Sequence, residues 1–227
     1  PRSSSAASDV YKRQHNITMK RYNIKVCGMT CAQNVMKVLD LDIDAIGIVS
    51  CLTSPRHVDP AEARQLFQQV VKRAPKVERH WVVRGIDKAE LESELTSGLA
   101  CTHVQLHGHY EESDARTVKA LGRKVVQVHS MKTAEFPRIW LDTDRLLLDT
   151  PGPGGGGTGK AFDRSLFAEW KTPRVPVTLA GGLGKVLQAE ALKDLPNWIG
   201  WLDVNSGVEI SPGIKDLHQI QRFIQTI

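Results

Sequence analysis

The feature of this sequence that most limits the possible folds is a regular alternation of short β-branched segments and helical patterns, which runs from Tyr22 to the end of the chain. Strands that are each followed by a helix form parallel β/α units, because parallel strands need a long crossover connection. Eight segments have the composition of strands. They lie at about 23–27, 44–49, 77–83, 103–106, 124–128, 145–148, 176–180 and 199–204.

Helical patterns separate most of these segments. They lie at 61–72, 88–95, 113–121, 185–192 and 216–227. The first follows Asp59-Pro60, in which the aspartate suits an N-cap and the proline suits the first turn. Eight such units predict an α/β fold consisting of a single, compact (β/α)8 TIM barrel over residues 22–227. A doubly wound open sheet has the same alternation and is the structural alternative.

The connection between the fifth and sixth strands departs from this pattern. Residues 130–141 have no clear helical period, and Pro137 lies among them. Because proline interrupts a helix, we predict a reduced fifth helix or a short turn at this point.

The distribution of charge argues against nucleic acid as a partner. The chain has a formal net charge of +5, but residues 1–21 hold five basic residues and one acid, a net +4, and leave +1 for the rest. The basic excess is therefore not a binding face of the barrel. Because residues 1–21 are largely small and polar and have no hydrophobic period, we expect a leader outside the fold, with a native start near Met19.

The remaining composition predicts a cytoplasmic protein. No apolar run approaches the roughly 20 residues that span a bilayer, and no secretory signal pattern is found, so we expect no membrane partner. The four cysteines, Cys27, Cys31, Cys51 and Cys101, form no C-x-x-C pair. We therefore expect free thiols and no metal site.

Two candidate catalytic residues lie at strand ends, which meet at the catalytic face of a parallel barrel. The first strand ends at Cys27, and the sixth leads into Asp149 after three leucines. A thiolate is a competent general base, and a carboxyl group can donate a proton. A base and an acid on different sides of one mouth predict a proton-transfer isomerisation. The alternatives are a buried core cysteine and an aspartate that caps the following turn.

Two glycine-containing turns follow the seventh and eighth strands, where barrels frequently bind phosphate. The first contains Gly181 and Gly182, and the second contains Ser206 and Gly207. Together they predict a phosphorylated small molecule as the substrate, although for each turn alone a simple tight turn is the favoured interpretation.

A longer glycine-rich loop follows Asp149 and contains Gly157. Its end differs from a nucleotide-binding P-loop in one residue, because Ala161 stands where serine or threonine would bind Mg²⁺. We therefore favour a mobile lid that contacts the substrate over a nucleoside-triphosphate site.

Arg56 and His107 are further candidates for substrate binding, since they follow the second and fourth strands. A guanidinium group can bind a carboxylate through two hydrogen bonds. A solvated surface arginine and a histidine bonded within its own loop are the alternatives.

Taken together, these segments resemble the phosphoribosylanthranilate isomerase family of tryptophan biosynthesis. The matching stretches occur in the family's order. They are 25–30, 104–108, 147–150, 156–163, 179–183 and 203–209, extended by 211–213 and 215–216.

The resemblance implies a (β/α)8 barrel that converts N-(5-phosphoribosyl)anthranilate to 1-(2-carboxyphenylamino)-1-deoxyribulose 5-phosphate by an Amadori rearrangement. It implies Cys27 as the general base, Asp149 as the general acid and Arg56 as the group that binds the anthranilate carboxylate. Gly182, Ser206 and Gly207, with their neighbours, would bind the phosphate. The resemblance implies no cofactor, because the substrate's own nitrogen is the electron sink, and a monomer or homodimer.

Two stretches depart from the family's usual sequence, at 50–52 and 80–85. They leave one alternative from another functional class, a non-catalytic or regulatory barrel that binds sugar phosphates.

Overall fold

The computed structural model describes residues 22–131, 135–149, 170–184, 192 and 195–227. The barrel strands are β1 Asn23–Cys27, β2 Ala45–Ser50, β3 Glu78–Val83, β4 His103–Leu106, β5 Lys124–Ser130, β6 Arg145–Asp149, β7 Val177–Ala180 and β8 Ile199–Val204. The helices in the described ranges are α1 Ala32–Val38, α2 Pro60–Arg73, α3 Lys88–Thr96, α4 Glu112–Ala120 and α5 Leu217–Thr226. A 3-10 turn, Ser206–Val208, and two short antiparallel strands, β9 Glu209–Ser211 and β10 Ile214–Lys215, precede α5.

The eight strands close into a barrel in the order in which they occur in the chain. Parallel pairing of β8 with β1, from Asn23 opposite Trp201 to Val26 opposite Val204, completes the ring. Closure excludes the open sheet, in which each of the two outermost strands would have one unpaired edge. The predicted (β/α)8 fold is confirmed, and each predicted strand agrees with an observed one to within two residues.

Alternation along the strands separates an apolar outer layer from a largely polar interior. On β1, Ile24 and Val26 belong to the main hydrophobic core, whereas Lys25 and Cys27 point the other way, into the barrel. The buried polar residues at inward positions are Lys25, His80, His103, Gln105, Arg145, Thr178 and Asp203. A barrel interior is usually filled by branched apolar side chains. The polar interior therefore needs a separate explanation.

One glutamine organises the connection between β5 and β6. Gln127 donates a hydrogen bond to the carbonyl of Arg138 at 2.8 Å and accepts bonds from the amide of Trp140 at 3.0 Å and the hydroxyl of Thr143 at 2.8 Å. These bonds satisfy backbone groups that have no helix to pair them. The described part of this connection, residues 131 and 135–144, contains no helix, in agreement with the predicted reduction.

Several details differ from the predictions or lie outside the described residues. Helix α1 has no counterpart among the predicted helices. Asp59 is the N-cap of α2 as predicted, but its carboxylate lies 3.0 Å from His57 Nε2 and does not bond the first-turn amides. Residues 1–21, the glycine-rich loop and all of the predicted helix 185–192 except Leu192 lie outside the described residues. Within the described ranges, no helix has the length and apolar character that crossing a membrane requires.

Candidate active site

A cavity of about 390 Å³ opens at the carboxyl ends of the barrel strands. It is lined by most of the residues that the sequence analysis selected. These are Cys27, Arg56, His107, Asp149, Gly181, Gly182 and Ser206. Gly157 lies outside the described residues. Barrel closure therefore brings groups from six different strand ends to a single mouth.

Cys27 ends β1 and is buried in the cavity wall, with 5% of its surface exposed. A glycine on the neighbouring strand makes room for its side chain, since a Cβ atom on Gly47 would lie 2.6 Å from Cys27 Sγ. Burial raises the pKa of the thiol, and the positive charge of Lys25 opposes this effect. Formation of the thiolate therefore depends on the cations around it.

Asp149 ends β6 with 19% of its side chain exposed. Burial raises its pKa to about 6, the negative charge of Asp203 adds to this effect, and Lys25 opposes it. A carboxyl group with such a pKa retains a proton that it can donate near neutral pH. His107 Nε2 lies 4.0 Å from Asp149 Oδ2. Burial lowers the pKa of His107, which favours a neutral imidazole beside the acid.

Arg56 reaches the mouth from the loop after β2 and is held there by Glu209. Its Nε and Nη2 atoms donate to the two carboxylate oxygens at 2.8 and 2.6 Å. Glu209 also accepts hydrogen bonds from Lys215 Nζ at 2.6 Å and from the amide of Gly213 at 3.1 Å. Nη1 of Arg56 makes no hydrogen bond to any described residue, so this edge of the guanidinium group is available to an anionic ligand.

The two glycine turns contribute in different ways. Gly181 and Gly182 line the cavity and have φ angles of +82° and +71°, in the region that favours glycine. Gly207 does not line the cavity in the described structure. A Cβ atom there would lie 2.0 Å from the carbonyl oxygen of Leu183, so this glycine allows the two turns to pack together. Ser206, its neighbour, faces the cavity.

A second group of titratable side chains lies toward the amino ends of β3, β4 and β6. His80 and His103 stack with ring centroids 4.3 Å apart, and Glu78 Oε2 lies 2.9 and 3.7 Å from their Nε2 atoms. Such a set resembles metal ligands. However, Arg145 donates to both oxygens of Glu78 at 2.8 and 3.1 Å. The rings are also parallel to within 9°, so their Nε2 lone pairs do not converge on one point. We interpret the group as a structural cluster.

This cluster predicts a loss of stability in mild acid. Burial lowers the pKa of His103 to about 3, so the folded state keeps this ring neutral, whereas the unfolded chain binds a proton below about pH 6.5. The contribution of His103 to stability is therefore complete above pH 6.5 and is lost as the pH falls toward 3. Between pH 7 and pH 5, the unfolding free energy measured by urea denaturation should decrease in both proteins. The decrease should be about 1–2 kcal/mol smaller in His103→Gln than in the wild type. The same substitution at the exposed His109 is the control. An unchanged pH dependence in His103→Gln would contradict the interpretation.

Comparison with known proteins identifies the family. The family model described as N-(5'phosphoribosyl)anthranilate (PRA) isomerase matches residues 24–226. The chain belongs to the phosphoribosylanthranilate isomerase family. It is thus an isomerase of tryptophan biosynthesis. A relative of that name from Xanthomonas oryzae is 34% identical over 220 residues, which cover 93% of this chain and 96% of the relative.

Solved structures of the phosphoribosylanthranilate isomerase family have the same fold. The enzyme from Thermus thermophilus superimposes with a TM-score of 0.76 at 25% identity, covering 90% of this chain and 97% of that one. Another family structure, in complex with reduced 1-(o-carboxyphenylamino)-1-deoxyribulose 5-phosphate, superimposes with a TM-score of 0.71 at 26% identity, with coverages of 90% and 97%.

Several residues that were not predicted to have a role from the sequence also lie at the site. Arg84, Gln105, Asp203 and Asn205 line the cavity, and Lys25 lies below it in contact with two of them. A charged residue inside an otherwise apolar strand is a signal for such a position, since burying an unpaired charge is strongly unfavourable. Lys25 and Asp203 both carry that signal.

Proposed function

We propose that this chain catalyses the Amadori rearrangement of N-(5-phosphoribosyl)anthranilate to 1-(2-carboxyphenylamino)-1-deoxyribulose 5-phosphate, with Asp149 as general acid and Cys27 as general base. The observation that carries the proposal is the position of these two groups on the wall of one cavity, at the ends of β6 and β1. The related structure that holds a reduced form of this product supports the substrate class.

The chemistry needs one acid and one base. Asp149 donates its proton to the oxygen of the ribose ring, the bond between C1 and that oxygen breaks, and the nitrogen lone pair forms the C=N bond of a protonated Schiff base. The Cys27 thiolate then removes the proton on C2. The electrons of that C–H bond form a C1–C2 double bond, and the C=N electrons return to nitrogen. The enolamine becomes the ketone when a proton leaves the C2 hydroxyl and another adds to C1, so product and substrate are isomers.

The remaining groups bind the two ends of the substrate. The free Nη1 edge of Arg56 donates hydrogen bonds to the anthranilate carboxylate, and the Glu209 carboxylate keeps the guanidinium group oriented. The phosphate binds at Gly181, Gly182 and Ser206, which line the cavity; backbone amides and a serine hydroxyl are suitable hydrogen-bond donors to a phosphate. His107 completes the wall beside Asp149.

A fluorescence assay that follows loss of the anthranilate substrate tests the proposal. We expect turnover by the purified chain and growth of a tryptophan auxotroph that lacks this step. Arg56→Met should raise KM about tenfold or more and change kcat less, because a charge-assisted hydrogen bond is worth about 1.5–3 kcal/mol. Arg64→Met is the matched control, since Arg64 pairs with Glu94 outside the cavity. Tight binding of a product analogue without turnover would instead support the non-catalytic sugar-phosphate barrel.

A further inference from the structure

Beneath the cavity lies a buried ion pair that the proposed reaction does not use directly. Lys25 and Asp203 are 1% and 7% exposed. Lys25 Nζ donates to Asp203 Oδ2 at 2.6 Å and to Gln105 Oε1 at 3.1 Å. An ammonium group has three N–H donors, so one remains after these two bonds. Asp203 Oδ1 is buried and has no hydrogen-bond partner among the described residues.

Strand geometry directs Lys25 toward the catalytic end of β1. Lys25 and Cys27 are two residues apart on one strand, so both side chains point into the barrel. Asp203 lies opposite Lys25 in the pairing of β8 with β1. The ion pair therefore spans the seam that closes the barrel, directly below Cys27.

Stability alone is a weak explanation for this arrangement. Removing two charges from water is expensive, and replacing a buried ion pair by apolar residues of similar volume is often neutral or stabilising. Because apolar side chains usually fill the interior of a (β/α)8 barrel, a buried lysine at this position points to a role in the chemistry above it.

We propose that Lys25 is a positioning residue for proton transfer: its ammonium group, held by Asp203 and Gln105, stabilises the side chain of Cys27 as the thiolate. The inference rests on the proposed role of Cys27 as the general base. It adds a residue that acts through Cys27 and need not touch the substrate.

The surroundings of Cys27 single out Lys25 among the nearby cations. Four charged groups interact electrostatically with the side chain of Cys27. They are Lys25 from β1, Asp203 from β8, Lys215 from β10 and Arg56 from the loop after β2. Burial raises the pKa of the thiol, and Lys25 opposes burial more strongly than Lys215 does. Lys215 and Arg56 both donate hydrogen bonds to Glu209. On β2, the residue paired with Cys27 is Gly47, which has no side chain and no charge.

Lys25 is charged in the folded protein. Burial alone would lower its pKa, but the negative charge of Asp203, which accepts a hydrogen bond from Lys25 Nζ at 2.6 Å, opposes burial, and the pKa is raised. Lys25 lowers the pKa of Cys27 and Asp203 raises it, and the effect of Lys25 is the larger of the two. Loss of Lys25 should therefore make the thiolate harder to form, whether or not Asp203 is also neutralised.

The rate at which iodoacetamide alkylates Cys27 between pH 6 and 10 tests this inference without substrate. Mass spectrometry of the peptide that contains Cys27 measures the reaction, and alkylation of Cys101 in the same sample is the internal control. Lys25→Met should shift the alkylation profile of Cys27 to higher pH and reduce its rate at pH 8 about tenfold or more, with a similar loss of kcat/KM. Lys25→Met with Asp203→Asn should give a smaller shift in the same direction.

If Lys25→Met does not fold, the double variant Lys25→Met with Asp203→Asn tests the role of Lys25 instead, because it contains no unpaired buried carboxylate at position 203. An unchanged Cys27 profile in a folded variant would overturn the role of Lys25. A shifted profile in a protein whose wild type does not consume the anthranilate substrate would support the effect of Lys25 on Cys27 and reject the proposed function. The two failures are therefore distinguishable.

Discussion

Asp149→Asn is expected to lower kcat/KM for N-(5-phosphoribosyl)anthranilate by about 10²–10⁴-fold, the usual contribution of a positioned acid or base. Asparagine has nearly the same shape but no acidic proton for the ring oxygen.

The pH profile of Asp149→Asn should also differ from that of the wild type. In the proposed mechanism, wild-type activity requires protonated Asp149 together with the Cys27 thiolate, and burial raises the pKa of Asp149 to about 6. Because burial raises the thiol pKa above its usual range, kcat/KM should rise up to about pH 6 and then level off. Asp149→Asn should remove that change in slope.

The same substitution should stabilise the protein at neutral and alkaline pH. The pKa of Asp149 is raised from 3.8 to about 6, so its effect on folding is favourable below pH 3.8 and is lost as the pH rises through 6. An ionised carboxylate in this position therefore destabilises the wild type above pH 6, by up to about 3 kcal/mol. Urea denaturation at pH 8 should show a higher unfolding free energy for Asp149→Asn. Lower activity together with higher stability cannot be caused by misfolding.

Asp40→Asn is a suitable control for Asp149→Asn. Asp40 pairs with Arg73 on the surface, and 57% of its side chain is exposed. Exposed ion pairs contribute little, so neither activity nor stability should change by much. Activity of Asp149→Asn within tenfold of the wild type would contradict the role of Asp149 as the proton donor.

Cys27→Ser is expected to lower kcat by about 10²–10⁴-fold with little change in KM. A serine hydroxyl is a far weaker acid than a thiol, so it supplies almost no anionic base near neutral pH. Sterics do not complicate the experiment, because oxygen is smaller than sulfur and the space beside Gly47 already accommodates the larger atom. The fluorescence assay provides both parameters.

Cys101→Ser is the matched control for Cys27→Ser. Cys101 is also 5% exposed, and burial raises its pKa to about 11, so it stays a thiol at neutral pH. It does not line the cavity. Its replacement tests the effect of placing a hydroxyl group in a buried site, and turnover should be unchanged. Equal losses of activity in the two variants would indicate a general effect of burying serine and contradict the assignment of Cys27 as the base.

Local sequence patterns were enough to predict the strands and the two candidate catalytic residues. Alternating β-branched and helical segments predict parallel β/α units, because both periods are properties of short stretches of chain. Cys27 and Asp149 then follow from one topological rule, that side chains at the carboxyl ends of parallel strands meet at one mouth. Arg56, His107, Gly181, Gly182 and Ser206 reach the cavity for the same reason.

Pairings between distant residues could not be predicted in this way. Lys25 and Asp203 are separated by 178 positions, and Arg56 and Glu209 by 153. Each pair forms only because β8 closes on β1 in a particular register. The raised pKa of Asp149 depends first on burial and second on the negative charge of Asp203, which lies on β8, two strands from β6.

The sequence by itself determined the number and order of the barrel strands and the residue types at their ends, because those depend on local periodicity and strand direction. Only the tertiary structure decided which charges neighbour Cys27, which acid holds Arg56 and why the barrel interior is polar. Those features depend on strand register, burial and the distances between charges, all of which are set when the ring closes.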